Sequence, residues 1–310
     1  MALALHELSL LQLASSTQAA LLSIDPSGRQ PRRRLNLARL VLMYTRRFES
    51  AEPTTALNYL FLLRRLPHSR PDDTFFAAAT AELALQSGSY DQLLGRLGPD
   101  GKHQKGALDR YDFDTRPVIE RVAAESENRG QLEDAVQLYD LAGNHDKVLE
   151  LLNRLLSQLV SRPAAPGSRR QRLQQTAVAI AKRYKDHGTS ASPEATGTLY
   201  LLLDLMSFFD LYHLERGDEA LEVLRRLRLV ALSGDELERR LAEFDRLQEE
   251  VRRCVPDVLL AAMTLLHGAQ RQLGEVRPMA RALVTFAGSL PYRLPGDTHA
   301  RLVQMEVLMT

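Results

Sequence analysis

Apolar residues recur at helical spacing along almost the whole chain, in segments of a few turns each, with short runs of Gly, Pro, Ser and Asp between them. A short helix cannot bury its own apolar stripe, so a chain built this way must lay helix against helix. Leu37, Leu40, Val41, Tyr44 and Phe48 follow the i, i+3, i+4 rule and predict a helix over 34–49. Pro53 suits the first turn of a second, which carries Leu57, Leu60, Phe61 and Arg64 on successive turns. Asp72 or Asp73 is expected to cap a third, through Phe76, Leu83 and Leu85 to Gly88, and Ser89 with Gln92 has capping-box spacing for a short fourth. Gly98 to Gly106 reads as a polar surface excursion.

Asp114 and Pro117 open a helix ending at Gly130, and Gly143-Asn144 separates 131–141 from 146–160, the clearest helical pair of the chain. Beyond a loop from Arg162 to Arg170, a helix runs to His187, and Ser192, Pro193 and Glu194 start the apolar segment Leu199 to Leu214. That segment holds Asp204 and Asp210 and falls short of the ~20 apolar residues a bilayer span needs. It reads as a helix buried on most sides. After Gly217 comes 219–229, then a long amphipathic helix from Gly234 through Leu237, Leu241, Phe244, Leu247 and Val251, which Pro256 breaks. Helices over 257–273 and 277–290 and a last one capped by Asp297 complete the reading.

The expected fold is therefore all-α: an irregular α-helical solenoid of about fourteen stacked antiparallel helices with no convincing strand. Composition supports it. The chain has three isoleucines and no tryptophan while Leu, Ala, Arg and Glu abound, against the usage of strands. At 310 residues, against roughly 150 per domain, one large or two ordinary domains fit. No composition shift divides the chain, so 1–310 is expected to be a single solenoid element with no separate second domain. Met1 to Leu13 reads as a helix rather than a signal peptide, because it carries His6 and Glu7 and lacks a basic start.

Forty basic residues against 39 acidic ones leave a net charge of +1, which argues against a dedicated nucleic-acid binder. The single cysteine, Cys254, excludes an internal disulfide and a multi-Cys zinc site and fits a reducing compartment. It reads as a half-buried structural thiol. No phosphate loop, Gly-x-Ser-x-Gly elbow or His-Glu-x-x-His is present. Asp210 and His213, three residues apart, are the only pair that suggests an acid–base dyad, and an ordinary surface pair is the plainer account. The arginine doublets, among them Arg32 to Arg34, Arg46-Arg47, Arg169-Arg170, Arg239-Arg240 and Arg252-Arg253, read as solvated faces and helix-end charges. Leu205, Met206 and Phe209 are core candidates before they are groove candidates. The expectation is no catalytic, cofactor-binding or metal-binding residue, no cofactor, and protein-binding residues that stay unassigned.

Five stretches carry a resemblance: RRLNLARLVLMYTRRFES (33–50), ALNYLFLLR (56–64), FDTRPVIERVAAESENRGQLEDAVQLYDLAGNHDKVLELLNRLLS (113–157), LYLLLDLMSFFDLYH (199–213) and RALVTFAGSLPYRLPGDTHARLVQMEVLM (281–309). They resemble the carboxy-terminal part of the nucleoporin-interacting-component (Nic) family, in its animal inner-ring branch, over essentially the whole chain. The resemblance implies a non-enzymatic scaffold of the nuclear pore complex at the nuclear envelope, serving pore assembly and transport of protein and mRNA. Implied partners are other nucleoporins, including the small membrane-associated linker nucleoporin, with no direct nucleic acid, no membrane insertion and no small-molecule substrate. The family's amino-terminal tether is expected to be absent, and the segment around Arg271 to Arg277 to be shorter than the family's polar loop. Two other readings stay open: a helical adaptor or coat scaffold of membrane vesicles, and a helical enzyme or ligand carrier using Asp210 and His213.

Overall fold

The computed structural model describes residues 2, 4, 19–25, 32–66, 74–98, 100–111, 114–188, 191–269, 276–292 and 294–309. The expected helix at 1–13, apart from residues 2 and 4, lies outside the described residues, as do Asp72, Asp73 and 271–275. The described chain is predominantly helical and forms two compact units, Met1–Asn144 and His145–Thr310.

The first unit opens on a feature the sequence did not announce, an antiparallel pair of β1 (Leu22–Asp25) with β2 (Arg32–Leu35), in the register Leu22 to Leu35 and Asp25 to Arg32. Asn36 then joins strand to helix. Its backbone N–H donates to the Leu21 carbonyl at 2.9 Å and its side-chain amide to Ala19 at 2.8 Å. Its side-chain oxygen accepts from Arg39 N–H at 3.0 Å, which caps α1 (Leu37–Thr45). Next come α2 (Pro53–Phe61), with Pro53 in its first turn, and α3 (Phe75–Ser87). The cap of α3 is Thr74, whose hydroxyl accepts from Ala77 N–H at 3.2 Å.

α4 (Tyr90–Leu94) starts at Ser89 without the expected capping box. The Ser89 hydroxyl turns to the Ser87 carbonyl, and Gln92 donates to the Thr54 hydroxyl at 3.1 Å. The polar stretch 98–106 is the second departure, for it closes a hairpin of β3 (Arg96–Leu97) and β4 (His103–Gln104). The two chain ends of this hairpin meet at Gly95 and Gly106. A Cβ at Gly106 would overlap the backbone of Leu94 and Gly95. Strands of two residues have no period to read.

α5 (Arg116–Asn128) and α6 (Leu132–Ala142) pack against each other along their length. Both end in the same way. Gly130 and Gly143 each sit at φ +78°, and the following N–H reaches back five residues, Gln131 to Ser126 and Asn144 to Tyr139, both at 2.9 Å. Successive helices touch in series, α1 on α2, α2 on α3, α3 on α5 and α5 on α6. Leu57, Phe76, Leu83, Val118, Val122, Ala135 and Leu138 form the buried stripes between them.

The second unit holds α7 (His145–Ser157), α8 (Arg169–His187), α9 (Pro193–His213), α10 (Gly217–Leu227), α11 (Leu237–Phe244), α12 (Glu249–Arg252), α13 (Val255–Ala269), α14 (Val276–Ser289) and α15 (Thr298–Leu308). Ser168 and Ser192 cap α8 and α9 through Gln171 and Ala195, the second as expected. α9 packs on α7, α8, α10 and α12. Its Leu202, Leu205, Met206, Phe208 and Phe209 are core, as expected for Leu205, Met206 and Phe209. Beyond it α10 meets α13, and α13, α14 and α15 pack on one another.

The long helix expected from Gly234 to Val251 is divided. A 3₁₀ turn at Gly234–Glu236 precedes α11, and the chain leaves helical geometry over 245–248 before α12. Phe244 is the reason. It is fully buried, stacked on Tyr292 at 5.7 Å and edge-on to Phe286 at 6.5 Å, while Arg252 donates to the Asp245 carbonyl at 2.6 Å. The break expected at Pro256 is present: α12 ends at Arg252, a turn covers 253–254, and Pro256 sits in the first turn of α13.

Substitution of the two kinds of glycine separates strain from collision. Nothing lies within 4 Å of a Cβ at Gly130, so Gly130→Ala is expected to cost about 1 kcal/mol, the strain of a left-handed alanine. Gly106→Ala, which drives a methyl into backbone, is expected to cost roughly 3 kcal/mol or more. Urea denaturation of both variants measures the difference.

Candidate protein-contact grooves

The strongest candidate for chemistry in the sequence dissolves when its hydrogen bonds are followed. Arg170, in the first turn of α8, is only 2% exposed, although its doublet reads as solvated. Its Nη1 meets Asp210 Oδ1 at 2.6 Å. Its Nε donates to the Leu159 carbonyl at 3.2 Å, and its Nη2 to Val160 at 3.4 Å and Met206 at 3.1 Å. Gln174 donates to the other Asp210 oxygen at 3.4 Å. His213 Nε2 lies 2.9 Å from the Ser161 carbonyl and, facing an acceptor, carries the proton there.

Asp210 and His213 therefore share a helix face but act on different partners. Together with Arg170 they hold the turn after α7, where carbonyls at a helix end have no helical partner. Among the described residues Arg240 is the other arginine that reads as solvated and is buried, with Glu243 at 2.5 Å and Glu236 at 3.3 Å. Breaking a buried pair from one side leaves the partner groups stranded, so Arg170→Met is expected to cost about 3–5 kcal/mol. Asp210→Ala leaves the buried Arg170 guanidinium without its anion and should cost a comparable amount in the same thermal denaturation series.

Cys254 is buried, 3% exposed, with Sγ toward the Glu250 carbonyl at 3.3 Å. Burial, with a smaller contribution from the charge of Asp257, pushes its thiol from an ordinary 9.0 up to about 12. The folded chain keeps this proton where the unfolded chain has lost it, so stability is expected to fall as pH rises from about 9 towards 12. Alkylation at pH 8.5 checks the same point: iodoacetamide should label Cys254 in urea and leave the native chain unlabelled. A native chain that labels at the rate of free thiol would refute the burial argument.

Among the described residues no group of three His, Cys, Asp or Glu is placed to hold a metal ion, and no helix is long and apolar enough to cross a membrane. Concave surface does exist within each unit. In the second, α11, α14 and α15 enclose an open groove of about 630 Å³ with Leu237, Ala280 and Met309 on its floor and Arg277, Arg281 and Glu306 on its rim. Arg277 Nε donates to the Met309 carbonyl at 2.9 Å and fixes the end of α15 to α14. Val303, Val307 and Leu308 of α15 are exposed. In the first unit, α1, α3 and α5 form a groove of about 340 Å³, with Leu42, Phe75 and Leu85 below Arg121 and Arg129. An apolar floor with a charged rim is the form that receives an amphipathic helix. The periodicity indicated that grooves exist but not which residues line them, because lining depends on which stripes neighbouring helices leave uncovered.

Comparison with known proteins gives the ancestry of this arrangement. The family described as Nup93/Nic96 matches residues 1–301. Nuclear pore complex protein Nup93 of Xenopus tropicalis is 45% identical over 327 residues, covering 99% of this chain and 40% of that protein. The Danio rerio protein of the same name is 46% identical over the same extent, and nucleoporin NIC96 of Saccharomyces cerevisiae is 25% identical over 99% of this chain. The chain thus spans about 40% of the length of these relatives. A solved structure, the crystal structure of Chaetomium thermophilum Nic96 SOL, has the same fold with a TM-score of 0.79 at 23% identity, covering 98% of this chain and 51% of that one. With nearly its full length matched by the family and vertebrate relatives sharing over two fifths of its residues, the chain belongs to the Nup93/Nic96 family.

Proposed function

We propose that this chain is a non-enzymatic structural scaffold component of the nuclear pore complex, acting at the nuclear envelope through protein–protein contacts in support of pore assembly and nucleocytoplasmic transport. The observation that carries the reading is identity of 45–46% across 99% of the chain with proteins named nuclear pore complex protein Nup93. The geometry supports it. Asp210, His213 and Cys254 are engaged in holding the fold, and the concave surfaces are open grooves suited to polypeptide.

Its partners on this reading are other nucleoporins. The finer assignment, that the small membrane-associated linker nucleoporin is among them, rests on the family resemblance and on the fit of an amphipathic helix to such grooves. The same proposal takes 1–310 as one solenoid element, supported by a family match that runs through both compact units.

The test is expression of the tagged chain in vertebrate cells, with imaging and affinity capture from the same cells. Fluorescence at the nuclear rim and retention of inner-ring nucleoporins are the expected results. A vesicular distribution with retained coat proteins would replace the proposal by the coat-scaffold reading. Loss of a measurable turnover on Ala substitution of Asp210 and His213 would replace it by the enzymatic one.

A further inference from the structure

We propose that the β1–β2 hairpin and the outer face of α1 form a peripheral docking surface for an anionic lipid bilayer. The charge of the chain is close to balanced, but it is not evenly spread. Over residues 19–25 and 32–50 there are six arginines and two acidic residues, Glu49 and Asp25, the latter opposite Arg32, a net +4 in a chain whose total is +1. In the structure this excess is interleaved with apolar side chains that the fold leaves in solvent.

Leu22 and Ile24 of β1 are 64% and 67% exposed. They lie two residues apart in the strand, and so on one face. The register sets Arg33 directly opposite Ile24, on that same face. On α1, Met43 and Tyr44 are half exposed and flanked by exposed Arg39, Arg46 and Arg47, with Arg39, Met43 and Arg46 following helical spacing. The two elements are fixed side by side, because Asn36 holds the Leu21 and Ala19 carbonyls and Arg39 Nη1 lies 3.4 Å from the Ala19 carbonyl. Among the described residues no acidic group pairs with Arg33, Arg46 or Arg47.

Two features select a bilayer over an acidic protein segment. The apolar and basic side chains stand on an exposed strand face and an exposed helix face, whereas a partner helix is taken up by a groove such as the one beside α14. The composition is that of interfacial binding: Leu, Ile and Met enter the boundary of headgroup and acyl chain, Tyr44 sits at the interface, and arginines meet the anionic headgroups. The proposal is independent of the scaffold reading, since it concerns adsorption rather than partner choice.

The test is flotation of the full chain with vesicles of phosphatidylcholine, and of phosphatidylcholine with about one part in three phosphatidylserine. Binding to the anionic vesicles alone, weakening as salt rises, is expected. Leu22→Ser with Ile24→Ser, and separately Arg46→Gln with Arg47→Gln, should each lower the partition coefficient, the arginine pair by at least about five-fold. All four side chains are exposed, so helical circular dichroism should stay that of the parent chain. No binding to anionic vesicles, or binding that both double variants retain, would overturn the proposal. Retention on immobilised polyglutamate without vesicle binding would overturn it in favour of an acidic protein partner. Binding to vesicles in a chain that fails to reach the nuclear rim would leave it standing while removing the scaffold reading.

Discussion

Every element of this fold depends on burial of one helix's apolar stripe against its neighbour. Most of the described helices are too short to be stable in water alone, and each exposed Leu or Val stripe removed from water contributes roughly 25 cal/mol per Å². Because the next helix along the chain is usually the one that covers the stripe, stability accrues locally, one interface at a time. This explains why short polar joints suffice between helices. It also explains why their chemistry concerns ending helices rather than binding ligands.

The polar residues that are buried serve the same end. Arg170 takes up two carbonyls of the turn after α7, together with one from α9 and the carboxylate of Asp210. Asn36 does the corresponding work where strand passes into helix. Such groups cost desolvation and add little net stability over a well-packed apolar residue. They do penalise every alternative packing in which their partners would be absent. In a stack of similar helices, where a slipped register is the obvious competitor, that penalty has value.

How much of this could be read beforehand differs by residue. The ends of α5 and α6 were legible because Gly130 and Gly143 are stop signals with a conformational reason, and Ser192-Pro193 because cap and proline act within one turn. The pairing was not: the helices expected to pair, over 131–141 and 146–160, fall in different units, and α6 packs on α5. The two hairpins were not, since strands of two to four residues fall below any periodic window. The break after Phe244 was invisible as well, being imposed by Tyr292 and Phe286 from far along the chain. Arg170 and Arg169 look alike in sequence, and only the fold distinguishes the buried one. For the site, the absence of a motif pointed away from chemistry, while the grooves depended on three-dimensional neighbours that no single sequence displays.

The seclusion of Cys254 bears on how such a chain ages. It is the only cysteine present, and its sulfur is closed off against carbonyls of α7 and α12 with its proton firmly retained. Peroxide and glutathione disulfide attack thiolate, so the native chain offers them almost nothing to react with. Two copies cannot be stapled together through sulfur while folded. Covalent damage at this position would then mark molecules that had already come apart, which makes the residue a built-in record of unfolding.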